Sequence, residues 1–307
     1  MKAMQTPVKW KRFRPSISWA VIGSPYLWLL LFFAIPFLIV LKISFSQSAV
    51  AQPPYTSILE YVDNAVFLRL NLDSYLSLFG DSQYVVAYLS SIKIAAIATV
   101  LCLLIGYPLA YAIARLPGSY RSIALMAVLL PSWTSFLIRV YAWIGIIDNN
   151  GLLNRLLVWV GAIDQPLQIL YTPTAAYLGI IYCYLPFMVL PLYGTLVKLD
   201  NRLLEAAYDL GARPWKAFLT ITLPLSRSGM IAGCMLVMIP AIGEYVIPEM
   251  LGGPDTLMIG RVLWNTFASD RNWPAASAVA ITMLILLAVP ILLFNRAQRR
   301  QLEGDSP

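Results

Sequence analysis

Apolar residues gather along this chain into six long runs, separated by polar and charged stretches. A helix needs about 20 apolar residues to cross the hydrocarbon of a bilayer. The first run lies between Trp19 and Leu41, in an uncharged stretch that opens at Pro15. The second spans about Ile94 to Ala114, and the third about Ser122 to Ile147, interrupted by Arg139. The fourth covers about Thr172 to Val197. The fifth runs from Ser228 to about Met250 and contains Glu244 and Glu249, and the sixth from about Asn272 to Asn295. The pattern predicts an all-α integral membrane protein with six transmembrane helices in one domain. The first run is too long for the core of a cleaved signal peptide, and no small-residue cleavage site follows it.

Composition agrees with lipid as the solvent. Of 307 residues, 59% are hydrophobic and 12% charged, too few charges to cover a soluble domain of this size. The mean hydropathy is +0.72. Cys102, Cys183 and Cys234 each lie inside an apolar run, which argues against a disulfide framework and a metal knuckle. Histidine is absent, which removes the commonest general base, metal ligand and proton relay.

The net charge of +7 could point to nucleic acid, but its placement does not. Lys2, Lys9, Lys11, Arg12 and Arg14 precede the first run, and Arg115 and Arg121 separate the second from the third. Lys198, Arg202, Arg213, Lys216 and Arg227 lie between the fourth and fifth, and Arg296, Arg299 and Arg300 follow the sixth. Six crossings put all of these on one side. Basic flanks mark the cytoplasmic side, so both termini are expected inside. The expected layout has an inner tail over 1–18 and a membrane domain over 19–297. Within that domain an outer loop spans about 44–83 and an inner loop about 199–227; a second inner tail covers 298–307. The outer loops hold Arg69, Arg155, Arg261 and Arg271 against Glu60, Asp63, Asp73, Asp81, Asp148, Asp164, Asp255 and Asp270. That acidity is what remains when Lys and Arg are kept inside, or a field that attracts a cationic solute or a docking partner.

The inner loop reads EAAYDLGARPWKAFLTITLPL from Glu205 to Leu225. Glu205-Ala206-Ala207 is a strong helix former. Gly211 can end that helix in a left-handed cap, and Pro214 suits the first turn of another. Leu223-Pro224 leads back to the membrane. The physical product is a short amphipathic element held on the inner face.

The spacing of Glu205-Ala206-Ala207, Gly211, Ile221 and Leu223-Pro224 resembles the "EAA loop" of binding-protein-dependent ABC import permeases at each of these positions. The resemblance implies a type I ABC importer permease fold in the bacterial inner membrane. It implies that the loop is a coupling helix docking on a separate ATPase chain. ATP and Mg would then belong to that ATPase dimer, and this chain would bind no cofactor and no metal. No G-x-x-x-x-G-K-[ST] phosphate loop occurs here. A second homologous permease subunit and a periplasmic substrate-binding protein are implied as partners, with membrane lipid around them and no nucleic acid. ATP would draw the coupling helices together and open the path outward, and hydrolysis would reset it.

A second stretch, GEYVIPEMLGGPDTLMIG from Gly243 to Gly260, resembles the spermidine/putrescine permeases within that group. So do Ser91 with Gly106-Tyr107-Pro108-Leu109-Ala110-Tyr111, and Trp273-Pro274 within Asp270 to Ala276. The resemblance covers about Tyr84 to Arg296 and implies a polyamine cargo. Related permeases carry ferric ion or sulfate. An integral-membrane enzyme lacks a catalytic constellation here, and a secondary transporter leaves the inner loop unexplained.

Ionisable residues inside membrane runs cost about 2.5–3.5 kcal/mol each on insertion scales unless paired or wet. Counted along straight helices at 1.5 Å per residue, Arg139 and Glu244 lie at similar depth, about 25 and 24 Å from the inner ends of their runs. They either pair, or Arg139 reaches the outer interface and leaves Glu244 facing a wet path. Glu249 and Asp148 lie nearer the outer mouth, where water can solvate them. Tyr141, Trp143 and Tyr245 lie near these acids. They could offer ring faces to an organic cation, or simply mark the membrane interface.

Overall fold

The computed structural model describes residues 15–62 and 65–304. The expected tails at 1–18 and 298–307 therefore fall partly outside the described residues.

The first run forms α1 (Pro15–Leu29) and α2 (Ile35–Ser44), joined through a π turn at Leu30–Ala34. Pro36 follows that turn directly. Proline has no N–H and its ring clashes with the carbonyl four residues back, so a wider turn before it relieves both problems. The loop after α2 carries a short antiparallel hairpin, β1 (Leu59–Val62) with β2 (Ala65–Leu68), in which Leu59 faces Leu68 and Val62 faces Ala65. The hairpin lies outside the apolar runs, and every other regular element among the described residues is helical, as the all-α reading expects. No apolar run marked the hairpin, because short hairpins need none.

α3 (Asp73–Gly80) leads into α4 (Ser82–Arg115), whose 34 residues span about 51 Å. α4 starts well before the expected Ile94. Asp81 caps it, its side chain accepting from the Gln83 N–H at 2.9 Å. The third run is not one helix. α5 (Gly118–Leu129) ends in a 3-10 turn at Leu130–Trp133, and α6 (Phe136–Ile147) restarts beyond it, followed by α7 (Leu152–Trp159). The two halves, Gly118–Trp133 and Phe136–Trp159, meet at 91°. Pro131 and the extended Thr134 break the ladder there.

α8 (Pro173–Leu196) matches the fourth run, with Thr172 as its cap. The loop at 199–227, expected on the inner side, forms α9 (Asn201–Asp209), α10 (Pro214–Ala217), a second π turn at Phe218–Thr222 and α11 (Leu223–Leu225). This π turn again stands directly before a proline, Pro224. The fifth run is α12 (Arg227–Ile242), broken at Gly243–Tyr245 before α13 (Val246–Met250). α14 (Ile259–Trp264) and a third π turn at Asn265–Ser269 precede α15 (Trp273–Gly304).

Among the described residues, Val21–Ser44, Ser82–Arg115 and Pro173–Leu196 are each long and apolar enough to span a membrane. Two bent pairs of helices qualify jointly, and the apolar part of α15 is shorter, at Trp273–Val289.

α4, α8 and α12 form the centre of the bundle. Small residues on α4, among them Ala95, Ala98, Cys102, Gly106 and Ala110, are buried and let the backbones approach. Met188 of α8 is fully buried and fills a socket between two glycines. A Cβ on Gly106 of α4 would lie 2.9 Å from the Met188 Cγ, and one on Gly233 of α12 would lie 2.7 Å from its Sδ. The outward faces remain apolar: Trp28, Leu31 and Phe33 on the first span and Leu104 on α4 are all exposed. Lipid or another subunit must cover them.

Candidate functional site

The inner loop is built from both ends. Asp200 caps α9, accepting from the Arg202 N–H at 3.0 Å. Arg115, at the end of α4, donates to the Asn201 side chain at 2.7 Å and lies over the Tyr111 ring. Glu205 and Ala206 are exposed, Ala207 is half-buried, and Leu204 is the buried anchor of α9. Glu205 lines a cleft of about 340 Å³ with Tyr111, Arg115, Asn201, Leu204 and Tyr208.

α9 ends in a Schellman motif. Gly211 has φ of +81°. Its N–H donates to the Tyr208 carbonyl, and the Ala212 N–H reaches back to the Ala207 carbonyl, both at 2.9 Å. The chain then turns into the segment Pro214–Leu225, which meets α12 at 65°. Phe218 sits edge-on to Tyr107 and Tyr111, with ring centroids 5.6 and 5.9 Å away. Tyr107 and Ser226 share a hydrogen bond at 2.8 Å. Ile221, Leu223 and Pro224 are half-buried, and Leu223 packs on the inner core. The loop is thus a rigid extension of α4 and α12. Leu203, Leu210, Trp215 and Leu219 face outward, Leu210 at 89% exposure. That is an apolar surface without a partner in this chain.

The broken fifth run forms the second group. Glu244 is 7% exposed. Its Oε2 accepts from the Tyr184 hydroxyl at 2.5 Å, and its Oε1 accepts from the Val246 and Ile247 N–H groups at 3.0 and 3.4 Å. The carboxylate therefore caps α13 and ties the break to α8. Gly260 seals the other side. A Cβ there would lie 2.5 Å from the Gly243 carbonyl oxygen and 2.7 Å from that of Glu244. Ser91 of α4 accepts from the Ile259 N–H at 2.7 Å, fixing the start of α14.

Among the described residues, no ion pair joins Arg139 to Glu244. The 91° bend invalidates a depth counted along straight helices. Arg139 is half-buried, with its guanidinium over the Phe136 ring at 5.5 Å and its Nε buried without a hydrogen-bond partner. Glu249 is exposed, as expected near the end of its run, and also pairs with Arg261 at 2.6 Å. Asp148 ends α6 and accepts from the Asn150 N–H at 2.9 Å, the mark of a local turn. Trp143 meets Tyr182 edge-on at 5.5 Å, Tyr245 stacks on Trp264 at 5.0 Å, and Tyr141 is exposed. The structure thus brings Glu244, Tyr245 and Glu249 to one break and leaves Asp148, Tyr141 and Trp143 on α6. Tyr184, Trp264 and Arg261 belong to this site although no sequence spacing singled them out. An Arg among outer acids was the one available signal.

Residues 103–302 match the family described as "Binding-protein-dependent transport system inner membrane component". The chain belongs to this family. It is 40% identical over 274 residues to the spermidine/putrescine transport system permease protein PotB of Escherichia coli (strain K12), covering 89% of this chain and 94% of that protein. The PotB of Haemophilus influenzae is 39% identical over 283 residues, covering 92% and 93%. The fold matches a bacterial ABC transporter that imports the polysaccharide alginate, with a TM-score of 0.68 at 18% identity over 93% of this chain and 96% of that one. It also matches the MetNI methionine ABC transporter in an inward-facing form, with a TM-score of 0.53 at 18% identity over 70% and 94%. The chain is therefore an inner-membrane permease subunit of an ABC importer, a transport component rather than an enzyme. Both candidate groups, the inner loop and the broken fifth run, lie inside the matched 103–302.

Proposed function

We propose that this permease carries a polyamine, putrescine or spermidine, as one of two permease subunits forming the path. The observation that carries this is 40% identity along nine tenths of the chain to relatives named for those solutes. The site chemistry supports it. Glu249 stands in the broken segment with Tyr245, which stacks on Trp264. A polyamine presents ammonium ends to carboxylates and a methylene stem to ring faces. Non-helical backbone at membrane depth is tolerated where it lines a water-filled cavity or is buried in protein, and transporters build cargo sites at such breaks. A sulfate-like cargo would want free cations at the break, and Arg261 there is engaged by Glu249.

The layout that goes with this reading has six crossings with both termini inside. The loop 44–83 lies outside and the loop 199–227 inside, between tails at 1–18 and 298–307. The tail residues 1–14 and 305–307 lie outside the described residues. α9 docks on an ATPase dimer that binds ATP and Mg, through the outward apolar surface of Leu203, Leu210 and Trp215. A periplasmic binding protein delivers the cargo. ATP binding draws the two coupling loops together and opens the path outward.

The test is uptake into proteoliposomes holding the copurified complex with its binding protein. Labelled putrescine or spermidine should accumulate only with ATP inside the ATPase-facing compartment. Polyamine-independent ATPase activity with ferric or sulfate uptake would reject the cargo assignment.

A further inference from the structure

The break in the fifth run holds two carboxylates in opposite circumstances. Glu244 is buried and satisfied by three donors, so an ammonium could reach it only by dismantling the cap of α13. Glu249 is 38% exposed, and its partner Arg261 is 27% exposed. The two charges join α13 to α14, which are already fastened elsewhere. Gly260 lies against the Gly243 and Glu244 carbonyls, and Tyr245 stacks on Trp264. The ion pair is therefore the one electrostatic fastening among these three, and it is partly exposed. Its open side cannot face lipid without a large cost, because a charged pair on a broken segment needs water or protein beside it. A partly exposed pair also adds little to stability, which leaves it free to exchange partners.

We propose that Arg261 stands in for the cargo's ammonium group on Glu249, and that a cationic cargo exchanges with it on entering the broken fifth segment. The inference rests on the polyamine reading above. While the path is empty, the guanidinium neutralises the carboxylate and keeps the break closed on itself. An arriving ammonium takes over Glu249 and releases Arg261, whose guanidinium, already 27% exposed, then turns to water. Arg261 acts here as a competitor for the binding carboxylate, and Glu249 as the residue that touches cargo.

The experiment is equilibrium binding of radiolabelled putrescine and spermidine to the assembled permease–ATPase complex in nanodiscs, without the binding protein. Arg261→Gln should tighten binding about two- to fivefold, since it removes the internal competitor. Glu249→Gln should weaken binding by a similar factor, and the double variant should behave as Glu249→Gln alone. Copurification of the ATPase reports assembly for every variant. Unchanged or weaker binding by Arg261→Gln overturns the exchange, as does unchanged binding by Glu249→Gln. Failure of Arg261→Gln to assemble also overturns it, because the pair would then be structural. A wild-type complex that assembles but binds neither polyamine rejects the cargo reading and the exchange with it.

Discussion

Glu244 shows how a residue's chemistry depends on its donors. As a membrane carboxylate it invites a role in guiding cations, but its three hydrogen bonds make it the cap of α13. Glu244→Ala leaves the Tyr184 hydroxyl and two backbone N–H groups unsatisfied, each costing about 1–3 kcal/mol when buried. The purified complex should lose several degrees of thermal stability, read by fluorescence melting. Arg139→Gln should not rescue it, since no ion pair links the two; a clear rescue would restore the pairing model. Tyr184→Phe removes one donor and should cost about 0.5–1.5 kcal/mol, a smaller shift in the same assay. Gly211 is the second residue whose conformation decides its identity. Nothing lies within 4 Å of a Cβ placed there, so only the φ of +81° opposes a side chain. Gly211→Val should cost about 1–2 kcal/mol of local order and weaken capture of the ATPase in pull-downs. Gly211→Asn, which tolerates the left-handed region, should retain most of it. Equal behaviour of the two variants would remove the cap from the coupling argument.

At the scale of elements, the packing of α4, α8 and α12 turns on Met188 between Gly106 and Gly233. Gly233→Val places methyl groups where the Met188 thioether and backbone already sit. Overpacking of this kind costs about 1–3 kcal/mol. The expected readout is a lower melting temperature together with a smaller yield of assembled complex. Met188→Ala in the same background frees the socket and should recover part of the loss. The π turns at Leu30–Ala34 and Phe218–Thr222 have a related logic, since each widens the helix just before a proline. In the segment Pro214–Leu225, Phe218 lies edge-on to Tyr107 and Tyr111, which fastens this segment to α4.

At the scale of the whole molecule, the open question for experiment is sidedness. Reporters fused at Arg300, or inserted within 199–226, should read cytoplasmic. One inserted between Pro53 and Asp81 should read periplasmic. A cytoplasmic signal from the last would overturn six crossings. The exposed apolar faces of α1, α4 and α9 make a lone chain an incomplete machine. The first span exposes Trp28, Leu31 and Phe33, and the inner loop exposes Leu210 and Trp215. Expressed without partners, the permease should be recovered in much lower yield than when coexpressed with them, as measured by fluorescence-detected size exclusion.

The sequence by itself determined the membrane class, the positions of the apolar runs, and the inner loop with its Gly211 cap. These are local properties: hydropathy accumulates over about 20 residues, and cap chemistry acts over five or six. It also supplied the family, through the spacing from Glu205 to Pro224. Where runs bend was decided by tertiary structure. The third run looked continuous, yet Pro131 and the residues after it turn the chain by 91°, because neighbouring helices supply the packing that a straight helix would forgo. Partner choice among the charges was likewise decided in three dimensions. Arg139 and Glu244 counted to the same depth, but Glu244 found Tyr184 and the start of α13, and Glu249 found Arg261. Spacing along a chain fixes which residues share a helix face. It does not fix which faces meet, and a buried charge is satisfied only by the groups that meet it.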